Sequence, residues 1–335
     1  MMTLVLVTLL AVAGPANAKT FKIATISPDG LTWMNSLREG TKEIEARTDG
    51  RVKFKIYPGG VQGDDFTVLR KMRIGQLHGS AVSSSALIRF YPDLQVYSLP
   101  LVFDTFEEVD YVRERMDDRI IEGLSDNGIV SFALTETGFA YLQTDTPVRS
   151  LADLQRKDTW VPTGDPIAEQ MIKAFDINPI PLYITDVLAG LQTGLVNAVT
   201  VPPLVALALQ WHNHVDYMVD HPLMYTYSMM MLDKKAFESI SEADQAVVTE
   251  VMNRVFGEID AANRADNRAA YDALINQGIN LTEPNESQLA NWRGMARQSI
   301  DGLVESGEIS AESVELLRTY LSEFRSTGAQ ATADP

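Results

Sequence analysis

The sequence predicts an α/β fold, and three observations carry that reading. Short alternating segments such as Val52-Lys53-Phe54-Lys55-Ile56 recur along the chain, with apolar side chains directed to one face. Each is followed by a stretch of helical periodicity, and strand–helix–strand–helix order is the pattern of a sheet with helices packed on it. One helical pattern from Ser241 to about Gln277 contains no proline and only Gly257. At 1.5 Å per residue it reaches about 50 Å, which is long for one globular unit and suits a strut lying across two.

The elements follow in order. Phe21-Lys22-Ile23-Ala24-Thr25-Ile26 is a strand that ends at Ser27-Pro28-Asp29-Gly30. A helix follows with Trp33, Leu37 and Ile44 on one face, stopped at Gly50. After the second strand, Pro58-Gly59-Gly60 turns the chain and Asp64-Asp65 begins a helix through Leu69 and Met72. Gly79 to Ser85 is a short buried strand opening into a helix start. A second α/β segment begins near Thr144-Asp145-Thr146-Pro147, with a strand around Trp160-Val161-Pro162, a helix over 166–176 and a strand leading into Tyr183. A helix over Asp186–Gly194 precedes the strand Leu195 to Val201, and the chain returns through 215–232. Ser241 is a good N-cap for the strut. Its alanine stripe (Ala261, Ala262, Ala265, Ala269, Ala270) is not a sustained heptad seam. Asn285 and Gln288 form a candidate capping box for a helix through Leu303, and Ser310 caps a last helix to Phe324. The tail 326–335 is polar and small and is expected to be flexible.

Composition narrows the function. Of 335 residues, 45 % are hydrophobic, enough for a large core and too much for a disordered chain. Asp+Glu 45 against Lys+Arg 28 gives a net charge of −17, which argues against nucleic acid as a partner. The absence of cysteine removes disulfides, thiolate metal sites and thiol nucleophiles together, and four histidines leave few routes to acid–base chemistry. The balance leans to binding rather than catalysis, with no cofactor or metal expected. Residues 3–13, TLVLVTLLAVA, are too few to span a membrane. Ala16 and Ala18 stand at the small positions of an A-x-A cleavage site, so residues 1–18 are expected to be a signal peptide cut before Lys19. No Lys or Arg precedes the run, which leaves a start upstream of Met1 open. The mature protein is expected to be soluble outside the cytoplasm and not to be membrane-embedded.

A set of phrases then comes together in order. Thr48-Asp49-Gly50-Arg51-Val52, Tyr57-Pro58-Gly59-Gly60, Gly63-Asp64-Asp65, Tyr91-Pro92 and Leu99-Pro100 resemble the first half of DctP-type solute-binding proteins of TRAP transporters. Leu151-Ala152-Asp153-Leu154, Trp160-Val161-Pro162, Ala189-Gly190-Leu191-Gln192-Thr193-Gly194-Leu195-Val196-Asn197-Ala198 and Leu232-Asp233-Lys234-Lys235 continue the likeness, which covers nearly all of 19–325. The resemblance implies a two-lobed periplasmic-binding-protein fold, with crossing strands between the lobes and a long helix spanning both. It places lobe I at 19–138 plus about 226–265, and lobe II at 139–225 plus about 266–325. It also implies a small-molecule ligand in the cleft and a TRAP membrane permease as partner.

The same resemblance shows where this chain departs. Family members that carry carboxylates place an arginine where Trp160 stands, and a second arginine of the sialic-acid-binding branch would fall near Ala140. A polar position of the family is matched by Val201 and an acidic or polar one by Ser84, while a cleft aromatic is retained as Tyr183. A buried carboxylate without arginine loses charge-assisted hydrogen bonds of roughly 1.5–3 kcal/mol each. Trp160 and Tyr183 offer π faces, and Glu136 and Asp165 lie in the adjoining loops. Aromatic faces with a carboxylate hold an ammonium group well. The expected ligand is therefore a small amine, an amino alcohol or a neutral polar compound. A small organic acid held without arginine is the alternative, and so is a Trp160 that only packs the cleft, with Glu136 and Asp165 as solvated acids. The candidate site comprises Trp160, Tyr183, Glu136, Phe139, Ser84, Thr163, Asp165, Val201 and Trp33.

Other features carry less. Pro58 to Asp65 is glycine-rich but lacks the Lys-Ser/Thr of a phosphate loop. His212, His214 and His221 have no conventional metal-ligand spacing, Met229-Met230-Met231 is core, and Gly79 to Ser83 has no nucleophile elbow. An exported hydrolase would need a nucleophile or metal cluster that the sequence does not offer. A sensor presenting its closed form to a receptor is the contrasting binding-protein reading.

Overall fold

The computed structural model describes residues 18–331, apart from the side chains of 166, 167 and 328–331. Residues 1–17 of the expected signal peptide, 1–18, lie outside the described residues.

Strand β1 (Lys19–Ala24) runs parallel to β2 (Val52–Tyr57) on one side and β3 (Gly79–Ser83) on the other. Phe21 and Phe54 are in register and their rings stack at 5.3 Å. Helix α1 (Thr32–Arg47) buries Leu37 and Ile44 of the predicted face, with Met34 rather than Trp33 as the third large side chain; Trp33 is half-buried. Helix α2 (Asp65–Arg73) starts where the sequence placed it, with the Asp64 side chain accepting from the Thr67 amide at 2.6 Å. Beyond β3, two 3₁₀ turns lead to α3 (Phe106–Asp126). This helix has no counterpart among the predicted elements, although Val109, Val112, Met116, Ile120 and Leu124 share its buried face. Strands β4 (Ile129–Ser131) and β5 (Thr135–Thr144) follow.

The second half alternates as expected: α4 (Leu151–Leu154), β6 (Asp158–Pro162), α5 (Pro166–Ala174), β7 (Asn178–Leu182), α6 (Val187–Thr193), β8 (Ala198–Val201), α7 (Pro203–Ala208) and β9 (Tyr217–Val219). β6 pairs in parallel with β7 and β8. The chain returns as β10 (Met224–Asp233), in which Met229, Met230 and Met231 are all core. It continues through α8 (Lys234–Glu238), α9 (Glu242–Asn276), β11 (Asn280–Thr282), α10 (Glu286–Glu305) and α11 (Ala311–Ala331).

Two antiparallel strands join the halves. The first part of β5 pairs with β10, and its last four residues pair with β8. The resulting strand order is β2-β1-β3-β10-β5-β8-β6-β7. Where β5 and β10 meet, the register shifts between Thr226 and Tyr227, opposite Gly138. Gly138 has φ +112°, and a Cβ there would lie 2.8 Å from Asn267 Nδ2. Glycine meets both demands at this crossing.

Helix α9 is the predicted strut, 35 residues and about 52 Å long. Val248, Val251, Met252, Val255 and Phe256 near its start pack with Phe21, Leu37 and Ile44. Leu274 near its end packs with Trp160, Val199 and Trp211. Its middle holds the crossing strand: Asn263 Nδ2 donates to the Glu136 carbonyl at 2.6 Å, and Asn267 Nδ2 to that of Thr137 at 2.7 Å. The predicted capping box is present, with Asn285 and Gln288 satisfying each other's backbone amides.

Two expectations change at the C-terminus. Residues 266–325 were expected wholly in lobe II, but the end of α10 and α11 pack on the first half. Leu303, Val314, Leu317 and Leu321 share a core with Val109, Val112 and Met116 of α3. Asp93 accepts from the Ser310 amide and from the Ser310 and Ser313 hydroxyls, and Arg325 pairs with Glu108 at 2.7 Å. The apolar stripe of α11 is thus spent on α3 across a long sequence separation. The expected flexible tail also begins too early, because α11 runs through Ala331; residues 332–335 lie outside the described residues.

Candidate ligand-binding site

A cavity of about 290 Å³ lies between the lobes. Its walls come from the carboxyl ends of β3 (Ser83), β6 (Pro162) and β8 (Val201), and from the first turns of α2 and α5. The ends of parallel strands are where an α/β sheet leaves a crevice. Asp65 and Phe66 face the cavity from the first lobe, and Thr159, Trp160 and Asp165 from the second. Thr137, Thr226 and Tyr227 line it from the crossing strands.

Six of the nine predicted site residues line this cavity: Trp160, Tyr183, Ser84, Thr163, Asp165 and Val201. Trp160 is buried, and its indole edge is fixed by an Nε1 hydrogen bond to the Leu182 carbonyl at 3.1 Å and by an edge contact with Trp211 at 5.2 Å. It therefore has both a packing role and a place in the wall. Asp165 caps α5, accepting from the Ala168 amide at 2.9 Å, and receives Gln95 Nε2 from the first lobe at 3.4 Å.

The other three lie elsewhere. Glu136 is not in an adjoining loop but on β5, 1 % exposed, and paired with Arg264 at 2.8 Å. Burial raises its carboxyl above the usual range and Arg264 opposes that. Its chemistry belongs to the strand–strut junction. Phe139 is core, against Phe106 at 4.6 Å and Tyr225 at 5.8 Å. Trp33 sits half-buried on α1 against the core that holds Phe21 and Leu37.

Several lining residues were not among those expected. Phe66 faces Tyr183 across the lobes, with centroids 6.4 Å apart. Asp65 was read only as the start of a helix; it is 9 % exposed and its Oδ1 has no hydrogen-bond partner. Burial, with the charge of Asp64 added, pushes its carboxyl up to about 7. Thr159 and Trp292 also line the cavity, and the Thr159 Oγ1 and Trp292 Nε1 atoms are buried without a hydrogen-bond partner. The available signal for Asp65 was an acid just after a predicted strand–turn–helix junction. No Lys, Arg or His is found among the described lining residues. Arg89 stands over the Phe66 ring at 5.6 Å but is exposed and outside the lining.

Among the described residues no group of three or more His, Asp or Glu is placed to hold a metal. His212 and His214 fall in a short 3₁₀ turn, with His212 Nδ1 at 3.1 Å from the Ala206 carbonyl. No described helix is long and apolar enough to cross a membrane.

Residues 23–306 match the family model of the bacterial extracellular solute-binding proteins, family 7, DctP. The sialic acid-binding periplasmic protein SiaP of Vibrio cholerae is 21 % identical over 292 residues, covering 84 % of this chain and 88 % of SiaP. A TRAP periplasmic solute binding protein from Xanthobacter autotrophicus with bound β-D-galacturonate superposes with a TM-score of 0.82 at 17 % identity, covering 90 % of this chain and 99 % of that one. One from Chromohalobacter salexigens with bound D-glucuronate gives 0.81 at 19 % identity, with the same coverage. The fold is thus the two-lobed one of these proteins, and the family is one of transport proteins that bind solutes, not of enzymes. With the cavity between two α/β lobes, the crossing strands and the spanning helix all in place, the chain belongs to the DctP family of TRAP-type extracytoplasmic solute-binding proteins.

Proposed function

We propose that this protein is exported by its N-terminal signal peptide, captures one small molecule between its lobes in the periplasm, and delivers it to the membrane subunits of a TRAP permease. Lobe I comprises 19–138 with about 226–265, joined by the C-terminal helix, and lobe II comprises 139–225 with α9 from about 266 and the start of α10. The ligand is a small amine, amino alcohol or neutral polar compound rather than a carboxylate held by arginine.

One observation carries this reading: the described cavity lining is mostly apolar, with acids, hydroxyls and aromatic rings set in it and no cationic side chain. A carboxylate ligand would be desolvated beside Asp64 and Asp165 with no charged donor to offset the cost. The galacturonate and glucuronate of the two structures above are ligands of those proteins. A ligand that binds the folded state raises its melting temperature. A thermal-shift panel of uronates and other carboxylates against amines, amino alcohols and polyols is expected to give shifts in the second group. Strong stabilisation by carboxylates with none from the others contradicts it.

A further inference from the structure

Three acids stand at the cavity, and they are not equivalent. Asp64 is committed to the Thr67 amide at the start of α2, and Asp165 to the Ala168 amide and Gln95. Asp65 is nine-tenths buried, and one of its carboxylate oxygens meets no donor. Folded proteins rarely leave such an atom unmatched. Phe66, Trp160 and Tyr183 surround the same space with rings, and Thr159 and Trp292, whose Oγ1 and Nε1 are buried without partners, belong to its lining.

We propose that Asp65 determines the specificity of the cleft by binding the ammonium group of a protonated amine, whose hydrocarbon body lies against Phe66, Trp160 and Val201. This rests on the reading of the inter-lobe cavity as the ligand site. A cation supplies the missing donor, and its charge is desolvated beside a carboxylate and ring faces, where cation–π attraction adds to the ion pair. A hydroxyl on the same ligand would be matched by Thr159 or by the N–H of Trp292. An anion would meet Asp64, Asp65 and Asp165 with no described cation in the lining.

The proton follows from the charge. Without a cation, the burial that pushes Asp65 up to about 7 keeps much of this carboxyl protonated at neutral pH. Asp64 acts on it from the same turn, and Asp165, Tyr183 and Tyr227 face the cavity from the other elements. An ammonium binds the carboxylate form, so the Asp65 proton leaves to solvent as the amine enters. Affinity for an amine then rises about tenfold between pH 6 and pH 8.

The test is calorimetry on the whole chain with skeleton-matched probes: benzylamine, benzyl alcohol and benzoate, then 4-amino-1-butanol, 1,4-butanediol and 4-hydroxybutyrate. The amines are expected to bind about tenfold or more tighter than their alcohol and acid counterparts. They should release a proton, seen by repeating the titration in buffers of different ionisation enthalpy. Asp65→Asn is expected to lose that advantage and flatten the pH profile, with a cooperative melt showing that the variant is folded. The wild-type pH series stands independently of the variant. Unchanged amine binding in Asp65→Asn, affinity that falls from pH 6 to pH 8, or no amine response at millimolar concentration overturns the proposal. Alcohols that bind as well as amines refute Asp65 alone and leave capture in the cavity intact. Preferential binding of the acids refutes both.

Discussion

The rings of Phe66 and Tyr183, one from each lobe, stand 6.4 Å apart between centroids. Gln95 reaches Asp165 across the same gap, and a Cβ on Gly60 would lie 3.8 Å from Thr185. The lobes are therefore in contact around the cavity.

Tyr183→Ala should therefore weaken ligand binding more than it weakens the fold. An aromatic pair contributes about 0.5–1.5 kcal/mol, or roughly two- to tenfold in affinity. Tyr183 is 40 % exposed, so the melting temperature of the ligand-free protein should barely move. Parallel calorimetry and melting curves check both halves of this statement.

Gly138→Ala probes the crossing of β5 and β10. The residue has φ +112° and its new methyl would collide with Asn267, which holds the Thr137 carbonyl. A cost of about 1–3 kcal/mol is expected from the strained backbone. Denaturant unfolding should report it as a shifted midpoint.

Arg264→Ala tests the strand–strut junction. It leaves the Glu136 carboxyl, 1 % exposed, without its cation. The expected loss is about 1–3 kcal/mol, the cost of a buried group left unsatisfied. Burial already raises Glu136, and removing Arg264 raises it further. A carboxyl whose folded value is raised costs stability as pH rises, so the deficit should be larger at pH 8 than at pH 5.

Asp65 gives the opposite kind of variant. Its folded-state value of about 7 lies above the ordinary aspartate value of 3.8, so the folded protein holds this proton more tightly than the unfolded one. Stability from this group is full below pH 4 and is lost as pH rises towards 7. Asp65→Asn should then stabilise the ligand-free protein at pH 8, on the order of 2–4 kcal/mol, with a smaller gain at pH 5. Melting curves at the two pH values measure it. A protein that gains stability when it loses an acid has kept that acid for something other than folding.

The sequence was legible where signals are local. Asp64 as the cap of α2, the Asn285–Gln288 capping box and the length of α9 each depend on residues within a few turns. Strand β5 was not legible, because it is buried along nearly all of its length and shows no alternation. Glu136 was misplaced for the same reason: its partner Arg264 is 128 residues away. Trp160 and Tyr183 could be placed at the cavity because the resemblance to the DctP family aligns them with cleft positions, through phrases such as Trp160-Val161-Pro162. Asp65 looks the same in sequence whether its helix starts in solvent or in a cleft. Only the approach of the second lobe, through Tyr183 and Asp165, distinguishes the two.

The most direct test is a crystal structure with the tightest binder from the matched panel. The account predicts density enclosed between the lobes, with a nitrogen about 3 Å from an Asp65 oxygen and carbon atoms against Trp160. A carboxylate group bound at that position, or a ligand seated outside the inter-lobe cavity, would contradict it.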